Sequence, residues 1–88
     1  MNRSLRKTLK AKAHPLNPVI LMGGKGLTPA LIAETDIALS THELIKVKLV
    51  GANKTENLDT AEALCQATNA ECIQMIGHIA TIYREKTE

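Results

Sequence analysis

The strongest local signal for chemistry is the run Val19-Ile20-Leu21-Met22-Gly23-Gly24-Lys25-Gly26-Leu27-Thr28-Pro29. Glycines let a backbone approach an anion closely and turn its N–H groups outward. Thr28 suits a helix cap and Pro29 the first helical position, and a helix N-terminus carries a partial positive charge. Lys25 at the loop tip adds a full charge. Gly23, Gly24, Lys25, Gly26 and Thr28 together fit a cradle for a backbone phosphate, like the GxxG loop of KH domains. The alternative is a glycine-rich turn that holds nothing, because glycine punctuates loops of every kind. The triphosphate-binding pattern GxxxxGK[ST] and the dinucleotide pattern GxGxxG are both absent.

Other basic residues add to this signal. Lys46 and Lys48 alternate with Ile45, Val47 and Leu49, as on a sheet with one buried and one wet face. Arg3, Arg6, Lys7 and Lys10 are expected on the side of a short helix opposite Leu5 and Leu9. The net charge of +2 hides an asymmetry: residues 1–33 carry six basic side chains and no acid, whereas residues 34–88 carry five basic and nine acidic ones. The two parts are thus +6 and −4, a directed field rather than a uniformly sticky surface. Three basic elements form one phosphate-tracking surface if the fold brings them together.

Catalytic constellations are poor. His14, His42 and His78 have no metal-ligand spacing to one another or to Cys65 and Cys72. Glu34 and Asp36 fall on different sides of a helix, and no nucleophile is paired with a base. No catalytic residue, metal or cofactor is therefore expected. With no Trp, no Phe and a single Tyr, the core must be aliphatic. Base stacking on several aromatic rings, as in RRM sheets and OB-folds, is also excluded.

These residues need positioning elements. Residues 4–13 read as a helix with Ser4 as its cap, ended by His14-Pro15. Residues 19–22 read as a buried strand, 29–42 as a helix capped by Thr28, and 44–50 as the lysine-bearing strand. Leu58, Ala61, Leu64, Cys65 and Thr68 mark a third helix over 57–68, which Asn69 can stop in the left-handed conformation. Residues 71–76 and 78–84 read as strands. Gly77 between them is either a bulge in one continuous strand or a break between strands with different partners. The order α-β-α-β-α-β-β predicts one α/β domain over residues 1–88, a two-layer sandwich with a mixed four-stranded sheet and right-handed crossovers. The lysine-bearing face is expected to stay open.

Several of these segments, in this order, resemble the CRM domain in its stand-alone bacterial form, YhbY. They are Ala13-His14-Pro15-Leu16-Asn17-Pro18-Val19, Gly23-Gly24-Lys25-Gly26-Leu27-Thr28, His42-Glu43-Leu44-Ile45-Lys46-Val47-Lys48 and Ile76-Gly77 followed by Tyr83-Arg84. The resemblance runs from about residue 4 to residue 84. It implies a fold similar to the C-terminal domain of translation initiation factor three, RNA as partner, and association with precursors of the large ribosomal subunit. By position, Gly23 to Gly26 become the RNA-contacting loop, and the basic helix, Lys46, Lys48 and Arg84 extend it. His78 stands where the family pattern leads one to expect lysine, so that part of the face is less basic at neutral pH.

The chain shows no signal peptide and no membrane-length apolar segment, so a cytoplasmic protein is expected, acting as a monomer with no small-molecule substrate. Two other classes compete with RNA binding. One is a protein–protein adaptor whose basic helix docks an acidic partner. The other is a small-molecule phosphate-binding or enzymatic domain built on the glycine loop.

Overall fold

The computed structural model describes residues 2–86. Its elements run α1 (Arg3–Ala13), β1 (Ile20–Leu21), α2 (Pro29–His42), β2 (Leu44–Lys48), α3 (Lys54–Thr68), β3 (Glu71–Ile76) and β4 (Ile79–Tyr83). The strands form one mixed sheet in the order β1-β2-β4-β3. β1 and β2 are parallel, while β2–β4 and β3–β4 are antiparallel. This is the α/β class, helix count and strand count that the sequence predicts.

Alternation in β2 builds the core. Ile45 and Val47 pair with Ile82 and Ala80 on β4, and all four are buried. Leu39 of α2 and Ala61, Leu64 and Cys65 of α3 close over them. Burying an aliphatic side chain of Val, Leu or Ile size contributes about 1.5–3 kcal/mol, and most of this core is made of such residues, with Met22, Cys65 and two alanines filling the rest.

The other sheet face is not left open. Thr81 alternates with Ala80 and Ile82, so it points away from that core, yet it is only 1% exposed. Leu9 and Ala13 of α1 are buried although they stand outside the main cluster, and α1 packs on β2 and β3. α1 therefore covers the middle of the lysine-bearing face, and α2 and α3 share the opposite one.

Local details differ from the sequence reading for identifiable reasons. The cap of α1 is Asn2, whose Oδ1 accepts from the Leu5 N–H at 2.7 Å, and Ser4 lies inside the first turn. β1 is two residues long, although the Val19 and Met22 N–H groups extend its pairing to Lys46 O and Lys48 O. Gly77 neither bulges a continuous strand nor separates unrelated ones. With His78 it forms a two-residue turn between β3 and β4, in which Ile76 pairs with Ile79. One glycine is enough, because a II′-type hairpin needs positive φ only at its first central residue, and Gly77 has φ +59°. The bulge lies instead in β3, between Cys72 and Gln74. Asn69 stops α3 at φ 57°, in the left-handed region.

In α3 the expected side is buried at Ala61, Leu64, Cys65 and Thr68, and only the first turn differs. Asn57 is buried and Leu58 is half out in solvent. The amide of Asn57 explains the exchange: its Oδ1 accepts from the Gly51 N–H at 2.8 Å, and its Nδ2 lies 3.0 Å from His78 Nδ1. With Oδ1 already taken, Nδ2 donates to an unprotonated Nδ1. The start of α3 is thus tied to the β3–β4 turn. A Cβ on Gly51 would overlap that same Asn57 oxygen. Gly51→Ala should therefore lower stability by about 1–3 kcal/mol through forced repacking. An unchanged denaturation midpoint would mean that the Asn57 contact does not hold this corner.

Candidate nucleic-acid interface

The loop begins where the parallel pairing ends. The Met22 N–H donates to Lys48 O at 3.0 Å, and the chain then turns through Gly23–Gly26, closed by the Gly26 N–H on Gly23 O at 2.9 Å. Gly26 has φ +70°, which a glycine adopts without strain. Gly23 and Gly24 are different. Neither has a left-handed φ, and a Cβ on either would meet nothing within 4 Å. Neither packing nor backbone conformation asks for glycine there. What remains is bare backbone facing solvent, the condition for close approach by an anion.

Beside the loop, a cleft of about 270 Å³ is bounded by Lys25, Thr28, Leu31 and Glu34. Thr28 caps α2: its Oγ1 accepts from the Leu31 N–H at 3.1 Å and its carbonyl from Ile32. Pro29 has no N–H, so the first turn of α2 has only the Ala30 N–H uncommitted by these bonds. The Glu34 carboxylate repels an anion from the inner wall. A phosphate therefore fits the outer rim, against Lys25 and the glycine backbone.

The structure sorts the remaining cations. Lys48 is exposed at the loop end of β2, and Arg3, Lys7 and Lys10 are exposed on α1. Among the described residues the one ion pair is Arg84–Asp36, so no carboxylate neutralises Lys25, Lys48, Arg3, Lys7 or Lys10 at contact distance. Arg6 does not project away from the leucines with its neighbours. It is half-buried, and its guanidinium donates to Cys72 O at 3.2 Å and Ile73 O at 2.8 Å, fastening α1 to β3. Lys46 is half-buried with Nζ 3.5 Å from His14 O, where it complements the C-terminal end of α1.

Arg84 does not belong to this surface. Its guanidinium bonds to the Asp36 carboxylate at 2.5 Å, to Asp36 O at 3.0 Å, and to Thr68 O and Ser40 Oγ at 2.8 Å each. It clamps α2 to the end of α3 at the far end of the sheet from the loop. Sequence spacing could not reveal this, because the partners lie 16 to 48 positions away. The pattern also gave no weight to Lys54, which lines a cavity with Gly77 and His78 at the loop end of the sheet.

The groups that could react are quiet. Burial pushes the Cys65 thiol up to about 12, with Cys72, Glu71 and Glu62 adding to the shift. Burial also raises Cys72, against the nearby Arg6. Both thiols stay protonated at neutral pH. Among the described residues, no three His, Cys, Asp or Glu side chains converge as metal ligands. No described helix is long and apolar enough to cross a membrane.

Comparison with known proteins follows the same lines. The CRS1 / YhbY (CRM) domain family matches residues 1–84. The chain belongs to the CRM domain family. A Haemophilus influenzae protein named as RNA-binding is 45% identical over 83 residues, covering 94% of this CRM domain and 84% of that relative. The Pseudomonas aeruginosa protein PA4753, named a probable RNA-binding protein, is 35% identical over 85 residues, 97% of this chain and 82% of its own. The solution structure of SAV1595 from Staphylococcus aureus, a candidate RNA-binding protein, matches with a TM-score of 0.88 and 33% identity, over 100% of this chain and 92% of that one.

The division of cations in this CRM domain can be checked directly. Arg84→Met should lower stability by about 1–3 kcal/mol, discounted for partial exposure. It should leave affinity for RNA unchanged. A folded variant with RNA affinity well below that of the parent protein would return Arg84 to the interface.

Proposed function

We propose that this CRM domain is a non-catalytic RNA-binding protein of the cytoplasm that associates, as a monomer, with precursors of the large ribosomal subunit. Its Gly23–Gly26 loop holds an RNA phosphate, with Lys25 supplying the charge. Lys48 and the α1 cations Arg3, Lys7 and Lys10 extend the contact along the backbone. The observation that carries this reading is the loop itself. Two of its glycines serve neither packing nor backbone strain, and they sit between uncompensated lysines at the end of a strand pair. Relatives named as RNA-binding support the same partner.

With about five phosphate contacts, log affinity for single-stranded RNA should fall against log salt with a slope of about −3 to −4. Sedimentation of the tagged protein from growing cells, at low and moderate salt, tests the proposal. Co-migration with large-subunit precursors, reduced by salt and by Lys25→Glu, is the expected result. A protein that stays at the top of the gradient under both conditions, yet keeps a protein partner after nuclease treatment, is an adaptor instead.

A further inference from the structure

One row of side chains crosses the whole sheet at the loop end. Leu21 pairs with Lys48, Lys48 with Ile79, and Ile79 with Ile76. Their neighbours Ile20, Val47 and Ala80 point into the core, so the row faces the α1 side. Leu21 is 68% and Ile76 66% exposed, Lys48 is exposed and Ile79 half-buried. A lone apolar side chain at the surface is ordinary, but three aligned in one row around a single lysine are not.

The borders of the row are as telling as its floor. On one side stand the Gly23–Gly26 loop, which follows β1, and the Gly77–His78 turn, which joins Ile76 to Ile79. On the other side stands α1. Leu5, Thr8 and Lys12 line a cavity of about 600 Å³ with Leu44 and Tyr83, the pair at the opposite end of the sheet. At 100° per residue, Arg3, Arg6 and Lys10 lie on the other flank of α1, toward the row. The bonds from Arg6 to the β3 carbonyls hold the helix at this rotation. The result is a trough with an aliphatic floor, one central lysine and a basic rim on both sides.

We infer that a single strand of RNA lies across this trough, its bases on Leu21, Ile79 and Ile76 and its phosphates on Lys25, Lys48, Arg3 and Lys10. The inference rests on the RNA-binding reading and adds which form of RNA is taken and how its bases are met. Charge selects the occupant: the floor carries Lys48 and the rims Lys25, Arg3 and Lys10, while Glu34, the carboxylate beside the glycine loop, lines the inner cleft on the α2 side. Shape narrows it further. The strands lie about 4.8 Å apart, so the row is roughly 14 Å long and one residue wide. Flat bases fit such a ledge. An amphipathic helix, about 10 Å across with its side chains, needs a broader apolar stripe. A duplex keeps its base faces stacked inside, so the bases must come from unpaired RNA. Contact with aliphatic groups is weaker than stacking on aromatic rings, which makes binding tolerant of base identity.

The test uses fluorescence anisotropy with two labelled probes of equal length and charge, each of roughly twelve nucleotides, within the range bound by single-strand sites. One is oligouridine and the other is the same ribose-phosphate chain without bases. Three proteins are compared: the parent, the double variant Leu21→Thr/Ile76→Thr and Lys25→Glu. Threonine keeps strand propensity at these exposed positions, and thermal melting verifies the fold. The double variant should lose about five- to tenfold in affinity for oligouridine and nothing for the abasic chain. Lys25→Glu should lose affinity for both. If the double variant binds oligouridine as the parent does, or the parent binds both probes equally, the base ledge is wrong while the RNA-binding reading stands. If the parent binds neither probe, that reading falls and the ledge with it.

Discussion

The pairing of β2 with β4 is the contact on which the rest depends. Its register sets Ile45 against Ile82 and Val47 against Ala80, which seals the aliphatic core beneath α2 and α3. The same register sets Lys48 against Ile79 on the other face, beside the parallel partner Leu21. A slip of one residue would exchange the two faces, exposing the core and burying the lysines. One alignment therefore secures the fold and places Lys48 next to the loop that follows β1.

Charge in this molecule divides into cations that hold the structure and cations that face outward. Arg6, Lys46 and Arg84 are bound to carbonyls or a carboxylate, and each joins elements distant in sequence. Lys25, Lys48, Arg3, Lys7 and Lys10 have no such partner among the described bonds. Outward cations that lie within a Debye length of one another raise the local potential, and without bound anions they repel. A polyanion relieves that repulsion, which gives the basic surface a thermodynamic reason to bind a backbone rather than a single small phosphate.

Much of this was legible in the sequence. Alternation in residues 44–49, the proline and glycine boundaries and the Thr28–Pro29 cap gave the elements, their order and the loop, because these signals are local. The exchange of Leu58 for Asn57 in the first turn of α3 was not legible, since the burial of Asn57 depends on Gly51 and His78, which the fold alone brings near. The Gly77–His78 turn was not legible because a single glycine between two strand-like runs is equally compatible with a bulge or a break, and only the pairing of Ile76 with Ile79 decides for a hairpin. The roles of Arg6 and Arg84 were hidden for a similar reason: a cation in a basic run looks the same whether it meets solvent or a distant carbonyl. The row from Leu21 to Ile76 escaped notice because four strands from separate segments contribute one residue each.

The most direct test of the central claim is a two-dimensional amide NMR titration of the parent protein with a short single-stranded RNA. The amides of Gly23, Gly24, Lys25, Gly26 and Lys48 should shift together along one binding curve, while those of Asp36, Ser40 and Arg84 stay in place. Shifts centred on the α2–α3 side or on the cavity lined by Leu16 and Tyr83, with the glycine loop unmoved, would contradict the account.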